Sequence, residues 1–257
     1  MKTVLLAGGF GTRLQEETAR KPKPMVEIGG YPILWHIMNS YAAWGHKEFL
    51  VALGYKSEVI KEYFLNYYYK SRNLTISLAD GTIDAAEAEN TRDWTLHLVD
   101  TGLNTQTGGR IKRLSSWIDN ETFMMTYGDG VSNVAIDKLL QFHKTHGRLA
   151  TMTVVRPRAR FGDVRIDGAG VVNQFKEKPD SEVGWINGGF FVLEPAVLDY
   201  ISDDATYFER EPLEQMVANE QLMAFQHTGF WQCMDTVRDL TYLENLWQSG
   251  EAQWKIW

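Results

Sequence analysis

Two kinds of segment alternate along the chain. Lys2 to Ala7, Phe49 to Leu53, Phe123 to Tyr127 and Ala150 to Val155 are short apolar runs without a helical period, as expected of strands buried on both faces. Leu222 to Phe225 reads as a further short strand, and Trp94 to Val99 as another. Ile186 to Leu193 is an apolar strand interrupted by Asn187, Gly188 and Gly189. Between these runs the period changes. Ile33, Leu34, Ile37, Met38, Tyr41 and Trp44 recur at helical spacing, with Gly45 as a stop. Ser57 is placed to cap a helix carrying Val59, Ile60, Tyr63 and Phe64 on one face. Leu74 to Leu78 alternates as a strand, and Ile136, Leu139, Leu140 and His143 form another helical stripe. Strand, helix and strand in this order predict an α/β fold with parallel strands joined by right-handed crossovers. Asp80 to Asp93 is polar and alanine-rich and predicts no element. No linker or repeat divides the chain, so one domain is expected over residues 1–257.

Composition narrows the functional classes. The chain has 257 residues, of which 44% are hydrophobic and 23% charged, which is ordinary for a globular enzyme. A net charge of −7 argues against a general binder of nucleic acid or anionic membranes. A single cysteine forbids an internal disulfide, the start lacks a leader's long apolar region, and no run approaches membrane-spanning length. A cytoplasmic protein is expected. Any anion site must therefore be a local concentration of cations.

One stretch supplies that concentration. The first strand empties into Gly8-Gly9-Phe10-Gly11-Thr12-Arg13, and Lys21-Pro22-Lys23-Pro24 follows. Glycines expose backbone N–H groups and tolerate φ > 0, so the loop can wrap an anion. Arg13 offers a guanidinium fork and Lys23 a compact charge stiffened by its prolines. Known fingerprints do not match. Leu14 stands where a dinucleotide loop needs its third glycine, and no Gly-Lys-Ser/Thr follows for a Walker loop.

Gly8 to Arg13, nine residues, and then Lys23-Pro24 resembles the signature of the sugar-1-phosphate nucleotidylyltransferases, which join a nucleoside triphosphate to a sugar 1-phosphate. Met25 to Gly30 and Pro32 to Met38 are similar to the branch that makes CDP-glucose from CTP and glucose 1-phosphate for deoxysugar synthesis. The resemblance implies a Rossmann-like, mixed, mainly parallel sheet flanked by helices, with a nucleotide-binding part at about 1–130 and a sugar-binding part beyond it. It implies Mg²⁺ as cofactor, and a homo-oligomer, a trimer or hexamer. A thymidylyl- or uridylyltransferase of the same fold, and a non-catalytic nucleotide-sugar sensor, stay open as alternatives.

The other motifs take roles from the same resemblance. Thr107-Gly108-Gly109-Arg110 reads by itself as a helix start; in the relatives such a loop helps hold the nucleotide, with glycines admitting a flat base and Arg110 supplying charge. Tyr127-Gly128-Asp129-Gly130 ends an inner strand where open α/β sheets bind ligands, although Asp-Gly is also a common turn. Leu6, Ala7, Gly8, Gly9, Gly11, Thr12, Arg13, Lys23, Gly108, Arg110 and Gly128 are thus expected at the nucleotide. Tyr127, Glu177, Lys178, Asn187 and Gly188 are expected at the sugar phosphate, although Lys176-Glu177-Lys178-Pro179 alone is only a charged strand end. Arg13, Lys23 and Asp129 would be catalytic, and Asp129 and Asp235 would hold the metal, with Mg²⁺ needing only one or two carboxylates besides phosphates. Asp235 otherwise reads as an acid near a helix start, where Thr236 and Asp239 form a capping box. His143 and His146 share a helix face without a third ligand, and Cys233 reads as a small buried residue. The tryptophan-rich tail (Trp247, Trp254, Trp257) suggests either packing on its own subunit or an assembly surface.

Overall fold

Seven of the apolar runs line up side by side in the computed structural model, which describes residues 1–87, 92–157, 163–176 and 184–257. Across the sheet they run Leu222–His227, Ala150–Val155, Ile186–Leu193, Phe123–Tyr127, Thr3–Leu6, Glu48–Leu53 and Thr95–Asp100. All are parallel except Ile186–Leu193, which is antiparallel to both of its neighbours. The architecture is the expected mixed, mainly parallel sheet flanked by helices.

The unbroken apolar runs follow from burial on both faces. Val4 and Leu6 join Leu50, Ala52 and Met125 on one side, while Leu5 and Ala7 join Phe49, Val51 and Met124 on the other. Helices Ile33–Ala42 and Val237–Gln248 pack on the second side, and Thr107–Arg113 and Glu211–Ala218 on the first. Each fully buried Val, Leu, Ile, Phe or Met side chain contributes about 1.5–3 kcal/mol, so both layers hold the sheet firmly.

Two expectations change, and the tail takes one of its two expected places. Leu74–Ile76 is a strand, but it pairs with Ile83–Ala85 in an exposed hairpin outside the main sheet. Alternation marks a half-solvated strand and does not say which sheet the strand joins. The third parallel strand is instead Thr95–Asp100. Ser57 does not cap its helix: Lys56, at φ 51°, occupies that position without a side-chain cap. The tail folds back on its own chain, with Trp254 fully buried and Trp257 edge-on to Trp35. Trp247 and Trp257 stay half-buried and line a cavity with Trp35. No described helix is long and apolar enough to cross a membrane.

Strand order also places the ligand crevice. From Thr3–Leu6 the chain steps outward through Glu48–Leu53 to Thr95–Asp100, then returns to the opposite side of Thr3–Leu6 as Phe123–Tyr127. Such a reversal opens a crevice at the carboxyl ends of the strands on either side of it. Gly8 and Asp129 leave those two ends. Because Ile186–Leu193 runs the other way, its amino end, with Asn187, arrives at the same edge.

Candidate active site

The Gly8 loop forms one wall of a cavity of about 360 Å³, lined among others by Leu6, Ala7, Gly8, Gly9, Gly11, Thr12, Lys23, Arg110, Tyr127, Gly128 and Asp129. Gly11 takes φ +63°, the left-handed conformation that glycine adopts without strain, and Arg13 belongs to the short Thr12–Leu14 turn that follows. Gly8 is glycine for another reason. A Cβ there would lie 2.3 Å from Nη1 of Arg110.

Arg110 is almost fully buried and spends its donors on the protein itself. Nη1 donates to the Leu53 and Gly102 carbonyls and to the Thr101 hydroxyl, at 2.9, 2.7 and 2.8 Å, while Nη2 donates to the Gly8 carbonyl at 3.0 Å. One side chain thus ties the ends of three strands together under the loop. It fixes the shape of the loop from beneath while still lining the cavity. Gly108 likewise has a different neighbour from the flat base suggested by sequence: its N–H donates to Thr206 O at 3.0 Å, and a Cβ would sit 2.7 Å from that oxygen. The glycine admits the 204–206 segment.

The charged centre lies where the crevice turns. Lys23 starts a 3-10 turn between Pro22 and Pro24, and its Nζ donates to Asp129 Oδ2 and to Asp235 Oδ1, both at 2.6 Å. Strands Gly130–Ser132 and Trp231–Cys233 pair antiparallel, and Met234 N donates to Asp129 O at 2.8 Å. That register brings two aspartates from distant parts of the chain to one point. Burial alone would lower the Lys23 pKa, but the charges and hydrogen bonds of both carboxylates hold it above lysine's usual value. The capping box is formed as expected, with the Asp239 carboxylate accepting from the backbone N–H of both Asp235 and Thr236.

A second cavity, about 380 Å³, shares Tyr127 and Asp129 with the first and is lined also by Asn187, Gly188, Glu209, Trp231, Cys233 and Asp235. Its polar wall is tightly bonded. Asn187 Nδ2 donates to Tyr127 Oη at 3.2 Å, Tyr127 donates to Glu209 Oε1 at 2.7 Å, and Trp231 Nε1 donates to Gly188 O at 2.7 Å. Gly189, at φ +83°, lies against the Tyr127 ring, and the pairing slips here: Met152 faces Phe191 but Val154 faces Asn187. The glycine pair marks a bulge that turns Asn187 into the cavity edge. Glu177 and Lys178, expected at the sugar, lie outside the described residues. Burial, then the negative charges of Asp235 and Asp129, push the Cys233 thiol up to about 12, so it stays protonated. His143 is buried as a structural residue, with Nδ1 2.8 Å from Thr151 Oγ1 and Nε2 3.0 Å from Glu194. No local motif marks Glu209, which reaches the cavity only through its bond to Tyr127.

The assembled crevice has two joined chambers, a glycine loop on one side, hydroxyl and amide groups on the other, and a cation with two carboxylates between. Comparison with known proteins gives it a context. Residues 2–248 match the family model described as nucleotidyl transferase. Glucose-1-phosphate cytidylyltransferase of Salmonella typhi is 52% identical over 258 aligned residues, covering all of both chains. A probable glucose-1-phosphate cytidylyltransferase of Bacillus subtilis is 43% identical with the same full coverage. Among solved structures, HddC from Yersinia pseudotuberculosis shares the fold with a TM-score of 0.69 at 22% identity, over 96% of this chain and 99% of that one.

Proposed function

This chain belongs to the nucleotidyl transferase family, and from that premise we propose that it transfers the cytidylyl group of CTP to α-D-glucose 1-phosphate, releasing pyrophosphate. The observation that carries the reading is the convergence of Lys23, Asp129 and Asp235 at the junction of the two chambers. Full-length identity to the cytidylyltransferases of Salmonella typhi and Bacillus subtilis favours cytosine over other bases.

The chemistry is a direct displacement. An oxygen of the sugar phosphate forms a bond to the α-phosphorus of CTP as the bond from that phosphorus to the bridging oxygen breaks. The electron pair leaves with pyrophosphate. No protein nucleophile is needed, and the neutral Cys233 thiol is not one. Catalysis is positioning and charge stabilisation. Backbone groups of Gly8, Gly9, Gly11 and Thr12, with Arg13, take the β- and γ-phosphates, while Leu6, Ala7 and Gly128 form the floor. Arg110 holds the loop in shape. Lys23 exchanges its carboxylate partners for the α-phosphate. Lys178 holds the attacking phosphate, and Glu177, Asn187, Tyr127 and Gly188 orient glucose.

Asp129 and Asp235 fit a hard cation, because two carboxylate oxygens already converge on the single Lys23 ammonium, and Mg²⁺ is content with one or two carboxylates plus phosphates. Bound there, Mg²⁺ would neutralise triphosphate charge as pyrophosphate departs. The lone cysteine suits the reducing cytoplasm. The same reading includes a homo-oligomer, a trimer or hexamer. Exposed Leu65, Leu78 and Ile83 offer contact surface in place of the tail, and light scattering of the intact chain reads the mass.

Pyrophosphate release measured with glucose 1-phosphate and each nucleoside triphosphate in turn tests the function. CTP should be used best. Preferential use of dTTP or UTP overturns the base assignment, and release with none of them identifies a non-catalytic sensor.

A further inference from the structure

Glu209 spans the two chambers. Thr107, on the wall of the first, donates its hydroxyl to Glu209 Oε2 at 2.6 Å, while Tyr127, shared by both, donates to Oε1 at 2.7 Å. The direction of each bond is settled by its neighbours. Phe208 N donates to Thr107 Oγ1 at 2.9 Å, so the single proton of that hydroxyl is free to point at the carboxylate. The Glu209 carboxylate can only accept, so the Tyr127 phenol is the donor of their bond. With its proton committed to Glu209, the Tyr127 oxygen accepts from Asn187 Nδ2 at 3.2 Å, and Asn187 Oδ1 accepts from Gly189 N at 2.8 Å. Both ends of the Asn187 amide are thereby fixed.

We propose that Glu209 is a positioning residue for the sugar phosphate chamber: acting through Tyr127, its carboxylate sets which way Asn187 faces and ties that wall to Thr107 at the nucleotide. The inference rests on the reading of the two chambers as the CTP and glucose 1-phosphate sites. Only a carboxylate serves this geometry, because it accepts at both oxygens. In Glu209→Gln one of the two positions becomes an NH₂ group. Either Tyr127 or Thr107 then loses its acceptor, and a reversed Tyr127 hydroxyl would point its proton at the Asn187 N–H groups.

Steady-state kinetics with one substrate varied at a time tests this on the full chain. Glu209→Gln should raise KM for glucose 1-phosphate about tenfold, the scale expected when a charge-assisted bond is lost, while KM for CTP stays within about twofold. Tyr127→Phe should give a similar change. The double variant should be no worse than Tyr127→Phe alone, because both act along one path. Equal rises in both KM values, an unchanged KM for glucose 1-phosphate, or additive effects in the double variant would each overturn the assignment. Should Glu209→Gln fail to fold, an unchanged KM for glucose 1-phosphate in Tyr127→Phe is enough to overturn it. A wild-type protein that does not use glucose 1-phosphate at all would instead defeat the functional reading.

Discussion

Two buried polar centres in this molecule handle charge in opposite ways. At Lys23, one ammonium faces two carboxylates at 2.6 Å, and it keeps its charge under burial because both partners are anions. At His36, the imidazole sits among Trp35, Trp247, Trp254 and Trp257. Its Nε2 donates to Ile28 O at 2.8 Å, so its Nδ1 is the acceptor for Trp254 Nε1 at 3.3 Å. Both ring nitrogens are satisfied by the neutral form. Burial then drives the His36 pKa down to about 4. Depth does not decide ionisation; the chemistry of the partners does. The first centre keeps its charges beside the cavity, and the second holds the Trp254 segment against helix Ile33–Ala42.

The largest effect should come from removing the cation. Lys23→Met should lower turnover by a factor on the order of 100–1000, as when a charge-stabilising group is lost, and leave two carboxylates facing each other. Its thermal midpoint should then respond to Mg²⁺ more strongly than that of the wild type. Near-normal turnover, or no added response in calorimetry, would break the distinction drawn here.

Truncating the tail comes next. Deleting Gly250 to Trp257 removes the fully buried Trp254 and should cost about 3–5 kcal/mol in urea unfolding, the scale of losing a core tryptophan. If stability were unchanged while the mass in solution fell, the tail would be an assembly surface after all.

The smallest effect is titration of His36. Its folded pKa lies below the ordinary imidazole value of 6.5, so its contribution is complete above pH 6.5 and is lost as pH falls towards 4. That window holds roughly 3 kcal/mol. His36→Gln should therefore flatten the dependence of unfolding free energy on pH between 6.5 and 4. An unaltered slope would mean that His36 does not supply it.

Legibility from sequence followed the range of the interactions. Phe123–Tyr127, Ala150–Val155 and Ile186–Leu193 match their apolar runs end for end, because burial on both faces is written residue by residue. The Thr236 capping box is equally local. The resemblance already joined Asp129 and Asp235 at one metal, but neither the contact of Lys23 with both nor the pairing of Gly130–Ser132 with Trp231–Cys233 that brings them together is written locally. The partners of Arg110 and Glu209 were hidden for a related reason. A charged residue does not say what it will meet until the fold brings Arg110 under a loop, where it still lines the first cavity, and Glu209 beneath a tyrosine. The tail's aromatic richness was visible, whereas its target, His36, lies 218 positions away.

That separation bears on how the protein is made. Chains are synthesised at about 5–20 residues per second, so roughly ten to forty-five seconds pass between the appearance of His36 and that of Trp254. Throughout that interval the indole of Trp35 and the ring of His36 lack the cover they will finally have, and Lys23 has no Asp235 to meet. Nascent chains therefore carry a sticky face around Trp35 and His36 until Trp254 emerges. Ribosomes stalled just before the codon for Trp254 would display that face longest.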